Sequence, residues 1–330
     1  MKDSAIKKII IENYKCTLPI LGKTSVTNGI ATRTDLDVTI QFPLAVPDGI
    51  YEWCVNAPRL LDIETEEFPL LNEIEKPKKA AIGDEFLAAL KRVSAAQSKD
   101  ETKYVLNSVY LESERDTLTL TATDGKRLHS TTIKANGQDF KAIIPSKAVE
   151  RMLKYAEGFP SVMVNDQFAR FTFSHRVTIQ CKLIEGMYPN YRQVIPQSHQ
   201  IAVMFTGKAL LNALKEALPA SKAAFKQGGY AYQTICMTVN RTGDTVFHAP
   251  STINEIAEMR FPCTSATSLW LIEENDSVCI CFQIKNMIDA ITAAGDGEIE
   301  LTTDGDIYPA ALAAFRSMAF TAIVMPLENQ

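Results

Sequence analysis

The chain has 330 residues, 46% hydrophobic and 22% charged, a composition typical of globular proteins with more than one domain. Its net charge of −5 argues against nucleic-acid binding over the whole surface, and its apolar runs are shorter than the roughly 20 residues of a membrane helix. The seven cysteines form no CxxC pair and the start of the chain has no cleavable export signal, which favours reduced thiols and a cytoplasmic location.

Helical periodicity occurs at four places along the chain. The first helix is predicted to be capped by Asp84, the second to begin at Pro145 and Ser146, and the third to begin at Thr206. The third is predicted to end before Pro219, because proline lacks the backbone donor that a helix interior needs. The segments between the helices have the short alternating runs and turns typical of strands. The predicted helices are 83–97, 145–158, 206–218 and 285–295.

The order of these elements repeats. Residues 84–196 and 206–326 each run helix, strands, helix, strands, and the two runs begin 122 residues apart. This order predicts an α+β fold of repeated domains rather than a doubly wound sheet. Residues 33–37 ("RTDLD") echo residues 122–126 ("ATDGK"), but the run that follows them is shorter, so the first domain is predicted to be reduced. We therefore expect three domains, at 1–76, 77–198 and 199–330.

Charge is distributed unevenly among these three domains. The first carries 8 basic and 12 acidic residues, the central one 18 and 13, and the last 8 and 14. A basic central surface between acidic flanks is able to hold a polyanion at one face and repel it elsewhere. Ordinary solubility charge explains the same totals, so both interpretations stay open at this point.

An Asp-Gly pair, Asp124 and Gly125, lies between two alternating runs. Such a pair is typical of a hairpin turn, because glycine adopts a positive φ without a side-chain clash. Asp124 is therefore predicted to be a turn residue, and this is favoured over a role as general acid or base. Lys126 and Arg127 would then lie on the rim of the hairpin, where they are available to a partner.

Short motifs follow one another in a characteristic order. They are "LPILG" (18–22), "TDLD" (34–37), "YVLNSVYLE" (104–112), "ATDGKRL" (122–128), "IIPSKAVERML" (143–153), "LIEGMYPNYRQVIP" (183–196) and "IVMPL" (323–327). In this order they resemble the bacterial sliding clamp family, the beta subunit of DNA polymerase III, most fully over 77–198 and only partly over 1–76. The resemblance implies a homodimeric ring of two head-to-tail subunits through which duplex DNA passes. It further implies a non-catalytic role without a cofactor, in which DNA polymerase and clamp-loader subunits bind through short linear motifs.

In that family, partner peptides bind a hydrophobic groove formed by the hairpin rim, a Tyr-Pro segment and the end of the chain. A pocket of Met, Pro and aliphatic side chains accepts leucine or phenylalanine and adapts to different partners. Two departures suggest a different choice of partner, since Gln193 stands where arginine is common and "ENQ" (328–330) replaces a basic-apolar tail. The resemblance assigns to the groove Leu106, Thr123, Gly125, Lys126, Arg127, Leu128, Pro189, Gln193, Val194, Ile323, Val324, Met325, Pro326 and Leu327.

The resemblance also assigns a DNA-facing role to residues near the central hole. Lys147, Arg151 and Lys154 are spaced four and three apart and are predicted to form one exposed stripe. Such a stripe meets phosphates without reading bases, although a basic stripe is also typical of a solvated helix face. The helix at 285–295 departs from the pattern, because Asp289 follows Lys285. The DNA-facing set is Lys91, Arg92, Tyr104, Lys147, Arg151, Lys154, Lys208 and Lys215.

Other motifs have simpler interpretations. The segment "TGKALL" (206–211) lacks the upstream glycine of a phosphate loop, and Asp304 and Asp306 lack the spacing of a calcium loop. Cys279 and Cys281 share a strand face with no histidine near them in sequence. Core packing is therefore favoured over a metal site for these two cysteines.

Three hypotheses of function follow. The first is a clamp that encircles DNA. The second is a clamp-derived adaptor that keeps the peptide groove but closes no ring, which the reduced first domain motivates. The third is an unrelated α+β enzyme, for which no cluster of residues indicates an active site. No membrane association is expected under any of them.

Overall fold

The computed structural model describes residues 18–53, 58–65, 68–69, 71–174, 176–195, 201–226, 233–240, 245–249, 257–261, 266–267, 277–303, 313–317 and 320–327. Asp304, Asp306 and the segment 328–330 lie outside these ranges. Antiparallel strands and a few helices make up the described part, so the predicted α+β fold is confirmed. None of the helices described is both long and apolar enough to cross a lipid bilayer.

The chain forms two compact units. Unit 1 comprises Met1–Ser94, Lys99–Leu120 and Thr132–Tyr188, and unit 2 comprises Ala95–Ser98, Thr121–Thr131 and Pro189–Gln330. The division passes through two strands, so the hairpin around Asp124 belongs to unit 2. The finer division into three domains stays a prediction.

Unit 1 is built on one long antiparallel sheet. Its strands pair in the order β5, β4, β1, β2, β3, β13, β12, β11, β6, β9, and β7 pairs separately with β10. The bounds are β1 (Thr24–Thr27), β2 (Ile30–Thr34), β3 (Val38–Pro43), β4 (Gly49–Trp53), β5 (Pro58–Leu61), β6 (Lys78–Ile82), β7 (Ser108–Glu114), β8 (Thr117–Thr123), β9 (Arg127–Gly137), β10 (Phe140–Pro145), β11 (Pro160–Val164), β12 (Phe168–Phe173) and β13 (Thr178–Lys182), with β8 and β9 continuing into unit 2.

The described residues of unit 1 include two α-helices, namely α1 (Phe86–Ser94) and α2 (Ser146–Tyr155). The ring of Phe86 is buried and stacks on that of Phe171, 5.8 Å away between centroids, which joins α1 to the sheet. The predicted cap at Asp84 is wrong, because α1 begins at Phe86 and the carbonyl of Glu85 accepts the N–H of Ala89. The helix therefore begins one residue later than a cap at Asp84 would place it.

The start of unit 1 is a sheet segment. Its described residues between 18 and 76 form β1–β5 and a 3-10 turn at Pro19–Gly22, and no α-helix occurs among them. Val26, Ile40 and Phe42 are fully buried, so these short strands contribute to the core of unit 1. Because β3 pairs with β13, the sheet continues without a break from this segment to residues 178–182.

The described residues of unit 2 form two antiparallel sheets. The first has the order β17, β16, β15, β19. The second has the order β18, β14, β20, β21, β22 and ends on the first half of β9. The bounds are β14 (Ile201–Thr206), β15 (Thr234–Asn240), β16 (Thr245–Ala249), β17 (Ala257–Phe261), β18 (Ala266–Thr267), β19 (Ser277–Gln283), β20 (Glu298–Thr303), β21 (Ala313–Ser317) and β22 (Phe320–Val324).

The helices of unit 2 are α3 (Gly207–Lys226) and α4 (Ile284–Ala294), and both pack on its core. The prediction that the third helix ends before Pro219 is wrong, because α3 continues through this proline. Leu218 and Ala220 pack against the core and Ser221 is buried, so the buried face of the helix extends past Pro219. Burial of this face outweighs the lost backbone hydrogen bond.

Two of the cysteines are joined. Cys236 on β15 lies directly opposite Cys281 on β19, and the two form a disulfide. The expectation of reduced thiols is therefore wrong for this pair. The residues are 45 positions apart in sequence, so only the register of the two strands brings them together.

Candidate functional site

The Asp124 carboxylate closes a tight turn between β8 and β9. Its Oδ1 accepts the backbone N–H groups of Lys126 at 2.9 Å and of Arg127 at 3.1 Å. The hydroxyl of Thr123 accepts the N–H of Gly125 at 3.1 Å and donates to the carbonyl of Arg127 at 2.6 Å. Gly125 has a φ of +90°, which glycine adopts without strain. The prediction that Asp124 is a turn residue is confirmed.

Arg127 is buried between two carboxylates. Its Nε donates to Oδ2 of Asp124 at 3.0 Å, and its Nη1 donates to Oδ2 of Asp289 on α4 at 2.5 Å. Only 7% of the Arg127 side chain is exposed. The expectation that Arg127 is available to a partner on the rim is therefore wrong, because two charge-assisted contacts already hold its guanidinium. Lys126, one residue earlier, is exposed.

A second turn of the same design lies in unit 1. The hydroxyl of Thr34 accepts the N–H of Leu36 at 3.0 Å, as Thr123 does in the other turn. Oδ1 of Asp35 accepts the N–H groups of Asp37 at 3.2 Å and of Val38 at 2.8 Å. The predicted echo between the two Thr-Asp segments is thus confirmed as a shared hydrogen-bond pattern.

Arg151 of α2 binds this second turn. Its Nη2 donates to Oδ2 of Asp35 at 2.6 Å and its Nη1 donates to the carbonyl of Val38 at 3.0 Å. Burial alone would raise the pKa of Asp35, but the hydrogen bond and charge of Arg151 outweigh it, so that pKa lies below its usual value. The prediction that Arg151 belongs to an exposed stripe is wrong, because its side chain is only 9% exposed.

The segment after β22 forms an apolar wall beside the Asp124 turn. β22 pairs with the first half of β9, where Ile323 lies opposite Leu128, and both are buried. Beyond the strand, the N–H of Met325 donates to the carbonyl of Lys126 at 2.9 Å, and the N–H of Leu327 donates to the carbonyl of Cys281 at 2.7 Å. The backbone of this segment is therefore fixed on both sides while the Met325 side chain stays 47% exposed.

The other predicted groove residues lie on two further segments. Tyr191–Val194 forms a 3-10 turn of unit 2, in which Gln193 is exposed and Val194 is 43% exposed. Pro189 precedes this turn and is also exposed. Leu106 is half-buried and belongs to unit 1. Unit 2 thus supplies every predicted groove residue except Leu106.

An exposed methionine outside the predicted groove set precedes Pro189 by two residues in the sequence. Met187 is 90% exposed, directly before Tyr188, whose ring stacks on that of Tyr110 at 4.8 Å between centroids. Its signal was present in the motif "EGMYPNYRQ", where a methionine precedes the Tyr-Pro pair. Such an exposed, flexible apolar side chain suits an adaptable binding surface.

The helices of unit 1 present their remaining predicted cations to solvent. Lys91 and Arg92 are exposed at the end of α1, and Lys147 and Lys154 are exposed on α2. Tyr104 is 61% exposed on the loop after α1. Arg151 is buried, so four of the five basic residues predicted to face DNA on α1 and α2 are exposed.

The extended α3 carries a longer basic stripe than the sequence predicted. Lys208 and Lys215 are exposed, as expected, and Lys222 and Lys226 are exposed further along the helix. Spacings of seven and four residues place all four lysines on one face. Lys222 and Lys226 were not predicted because the helix was expected to end before Pro219. Their helical spacing from Lys215 in the sequence indicates that they belong to the same stripe.

Comparison of the sequence with known families and proteins identifies relatives. Residues 82–190 match the model of the DNA polymerase III beta subunit, central domain. The chain is 29% identical to the Beta sliding clamp of Chlamydia muridarum over 211 residues, 57% of each chain. It is 24% identical to the Beta sliding clamp of Synechococcus elongatus over 317 residues, covering 91% of this chain and 79% of that one. The first relatives are thus matched over little more than half of their length.

Solved structures share the fold along nearly the whole chain. The DNA polymerase sliding clamp from Bacillus subtilis superposes with a TM-score of 0.81 at 17% identity, over 99% of this chain and 96% of that one. The DNA polymerase III beta subunit from Thermotoga maritima gives 0.81 at 16% identity over the same shares. The predicted resemblance is confirmed: the chain has the fold of the bacterial sliding clamps, and its residues 82–190 match the family model of their central domain.

Proposed function

We propose that this chain, which shares the bacterial sliding clamp fold, is a DNA sliding clamp that encircles duplex DNA and tethers a polymerase and repair proteins. The observation that carries the proposal is the row of four exposed lysines along one face of α3, together with the exposed cations of α1 and α2. The net charge of the chain is −5, so these cations stand out against an acidic background. A basic helix face in an acidic protein confines a polyanion to one surface.

The chemistry of these helices suits sliding. Lysine ammonium groups are mobile point charges that meet phosphates without reading bases, so the free energy changes little as the protein moves along the duplex. Contacts of this kind weaken steeply with salt, because they release counterions from the DNA. Duplex DNA of any sequence is therefore the proposed ligand.

The peptide groove is proposed to lie along Met325–Leu327, the Asp124 turn and the Tyr191–Val194 turn. Two backbone hydrogen bonds fix the first segment, so its half-exposed Met325 is presented without a large ordering cost on binding. Arg127 supports this surface from beneath through Asp289 and leaves Lys126 as the exposed cation of the turn. A linear motif with leucine or phenylalanine anchors fits this chemistry, and polymerase and clamp-loader subunits are the proposed partners.

Ring closure is proposed through two edge strands. In unit 1, β5 pairs only with β4 among the described strands, and Leu60 on it is 57% exposed. In unit 2, β17 pairs only with β16 among the described strands. An exposed edge is a template for pairing with another chain, so β5 of one subunit and β17 of the next would close a head-to-tail ring of two.

A second candidate is the non-encircling adaptor, which the lack of an α-helix in the described residues between 18 and 76 favours. Light scattering coupled to size-exclusion chromatography separates the two over a tenfold concentration range. A mass near twice 36.5 kDa supports the ring, whereas a persistent mass near 36.5 kDa supports the adaptor. In either case we propose a non-catalytic role in the cytoplasm without a cofactor.

A further inference from the structure

Sulfur and imidazole groups cluster on the outer face of the four-stranded sheet of unit 2. In the register, Cys236 on β15 lies between His248 on β16 and Cys281 on β19. Cys279 lies two residues before Cys281, so its side chain points to the same face. Ile235 and Phe282 face the opposite way and are fully buried in the core. The cluster therefore lies on the face of the sheet away from this core.

The geometry of the cluster is compatible with a metal site. One ligand atom each from Cys236, His248 and Cys279 all lie within 4.8 Å of one another. In a tetrahedral zinc site with Zn–S bonds of about 2.3 Å, neighbouring ligand atoms are about 3.8 Å apart, so small side-chain rotations suffice. Cys281 is bonded to Cys236, so reduction of this bond would free a fourth donor beside the other three. The sequence-based preference for core packing is wrong for Cys279, because its side chain is exposed.

We propose that the reduced chain binds one Zn²⁺ ion through the sulfurs of Cys236, Cys279 and Cys281 and a ring nitrogen of His248. Three thiolates and one imidazole are a donor set that zinc prefers, in the tetrahedral form typical of structural sites. The ion would join β15, β16 and β19 on the face that the core does not stabilise. Half-buried His248 and exposed Cys279 leave the ion a path from solvent.

The disulfide and the metal site are alternative states of the same sulfurs. A dithiol reductant gives two electrons and two protons to the Cys236–Cys281 bond, which becomes two thiols while the reductant becomes a disulfide. Zinc then displaces the thiol protons as it binds the thiolates. Oxidation of Cys236 and Cys281 removes two of the four donors, so the oxidised chain is expected to hold zinc far more weakly.

Cobalt titration of the full chain tests this site. The protein is reduced with a dithiol, freed of the reductant under nitrogen and titrated with Co²⁺, and zinc content is measured by mass spectrometry after dialysis. We expect one equivalent of metal, visible absorption bands of a tetrahedral cobalt–thiolate site, and displacement by Zn²⁺. The oxidised chain should give no such bands.

Variants identify the ligands. Cys279→Ser removes an exposed thiol that is proposed to bind zinc directly. Loss of an outer-shell partner weakens metal binding roughly tenfold, so loss of this ligand should weaken it by no less than that. His248→Ala should act in the same direction. Cys181→Ala is the matched control, because burial raises the pKa of the Cys181 thiol to about 12 and keeps it from binding metal. A triple replacement of Cys16, Cys54 and Cys263 by serine should also retain the site.

Two results would overturn the proposal. The first is a reduced chain that binds no more metal than the Cys236→Ser/Cys279→Ser double variant. The second is zinc binding that is unchanged in Cys279→Ser but is lost when Cys16, Cys54 and Cys263 are replaced by serine. Circular dichroism of each variant, compared with the parent, separates loss of the site from loss of the fold.

Discussion

Arg151 and Asp289 occupy the same place in their helices, since each is the sixth residue and each is ion-paired to a Thr-Asp turn. In unit 1 the cation is on the helix and binds Asp35, whereas in unit 2 the carboxylate is on the helix and binds Arg127. The charges of the two partners are exchanged, but in both units an ion pair joins the helix to the turn. This explains why an acidic residue, Asp289, follows Lys285 on this helix. The side chain at the sixth position binds the neighbouring Thr-Asp turn and is not one of the exposed basic positions.

Replacement of Asp289 by alanine should destabilise unit 2. The buried guanidinium of Arg127 would keep only Asp124 as a charged partner, and loss of a hydrogen bond between charged groups costs about 2 kcal/mol. The expected result is an earlier transition in urea, followed by circular dichroism. Lys285→Ala on the same helix is the control, because an exposed lysine should change the free energy of unfolding by less than about 0.5 kcal/mol.

A double-mutant cycle tests the same contact. Arg127→Ala and Asp289→Ala each break the pair, so the combined variant should lose less stability than the two single variants added together. Strict additivity would show that the two side chains do not interact.

Acid should weaken the contribution of Asp35. Because the pKa of Asp35 is lowered in the folded protein, its stabilising effect is present above the usual value of 3.8 and is lost as the pH falls through the lower folded value. The melting temperature of Asp35→Asn should therefore lie below that of the parent by a constant gap above about pH 5, and the gap should narrow toward pH 3. A gap that widens in acid would contradict this assignment.

Asp37→Asn is the matched control for that measurement. Asp37 lies in the same turn, but its side chain is 62% exposed and its Oδ2 is 3.6 Å from Nζ of Lys147. An exposed pair of this kind contributes little to stability, so the variant should melt close to the parent across the range.

Truncation of Met325 and Leu327 to alanine should weaken binding of a peptide with leucine and phenylalanine anchors. Met325 is 47% exposed, so the change removes contact surface while the buried strand before it is kept. An anchor pocket of this type is worth about 2 kcal/mol, which is roughly thirtyfold in Kd by fluorescence anisotropy. Phe225→Ala is the control, because Phe225 is an exposed apolar residue of the same unit outside the groove. Equal Kd values for parent and double variant would show that the groove lies elsewhere.

Lysines on both sides of Pro219 should contribute to DNA binding. Lys215→Gln and Lys222→Gln together remove two exposed charges from α3, and each lost phosphate contact lowers the salt dependence of binding by about 0.9. The measurement is the slope of log K against log salt concentration, with Lys78→Gln on β6 as the exposed control. Peptide binding should not change. An unchanged slope would remove the DNA role from α3.

Local patterns in the sequence predicted much of this structure. The Asp-Gly turn, the start of α2 and the inner faces of the helices follow from turn chemistry and periodicity, which depend on near neighbours. The echo of the Thr-Asp segment was visible for the same reason, because its hydrogen bonds lie within five residues.

Long-range packing decided the features that the sequence did not reveal. Arg151 has helical spacing to Lys147 and Lys154, which predicted an exposed side chain. It is buried instead, because it forms an ion pair with Asp35, more than a hundred residues away in the sequence. Pro219 stays in a helix because the core extends beyond it. The cluster of Cys236, His248 and Cys279 exists only through the register of three strands. In each case a distant partner outweighs the local preference.

Trapping on capped linear DNA tests the central claim most directly. The chain is allowed to thread onto a duplex with biotin at both ends, streptavidin is added to block the ends, and the DNA is washed at high salt. A ring is expected to stay on the DNA, because salt abolishes the phosphate contacts but not the topological link, and to leave after a restriction enzyme cuts between the ends. Release by salt with both ends blocked, or retention that cutting does not change, would contradict an encircling clamp.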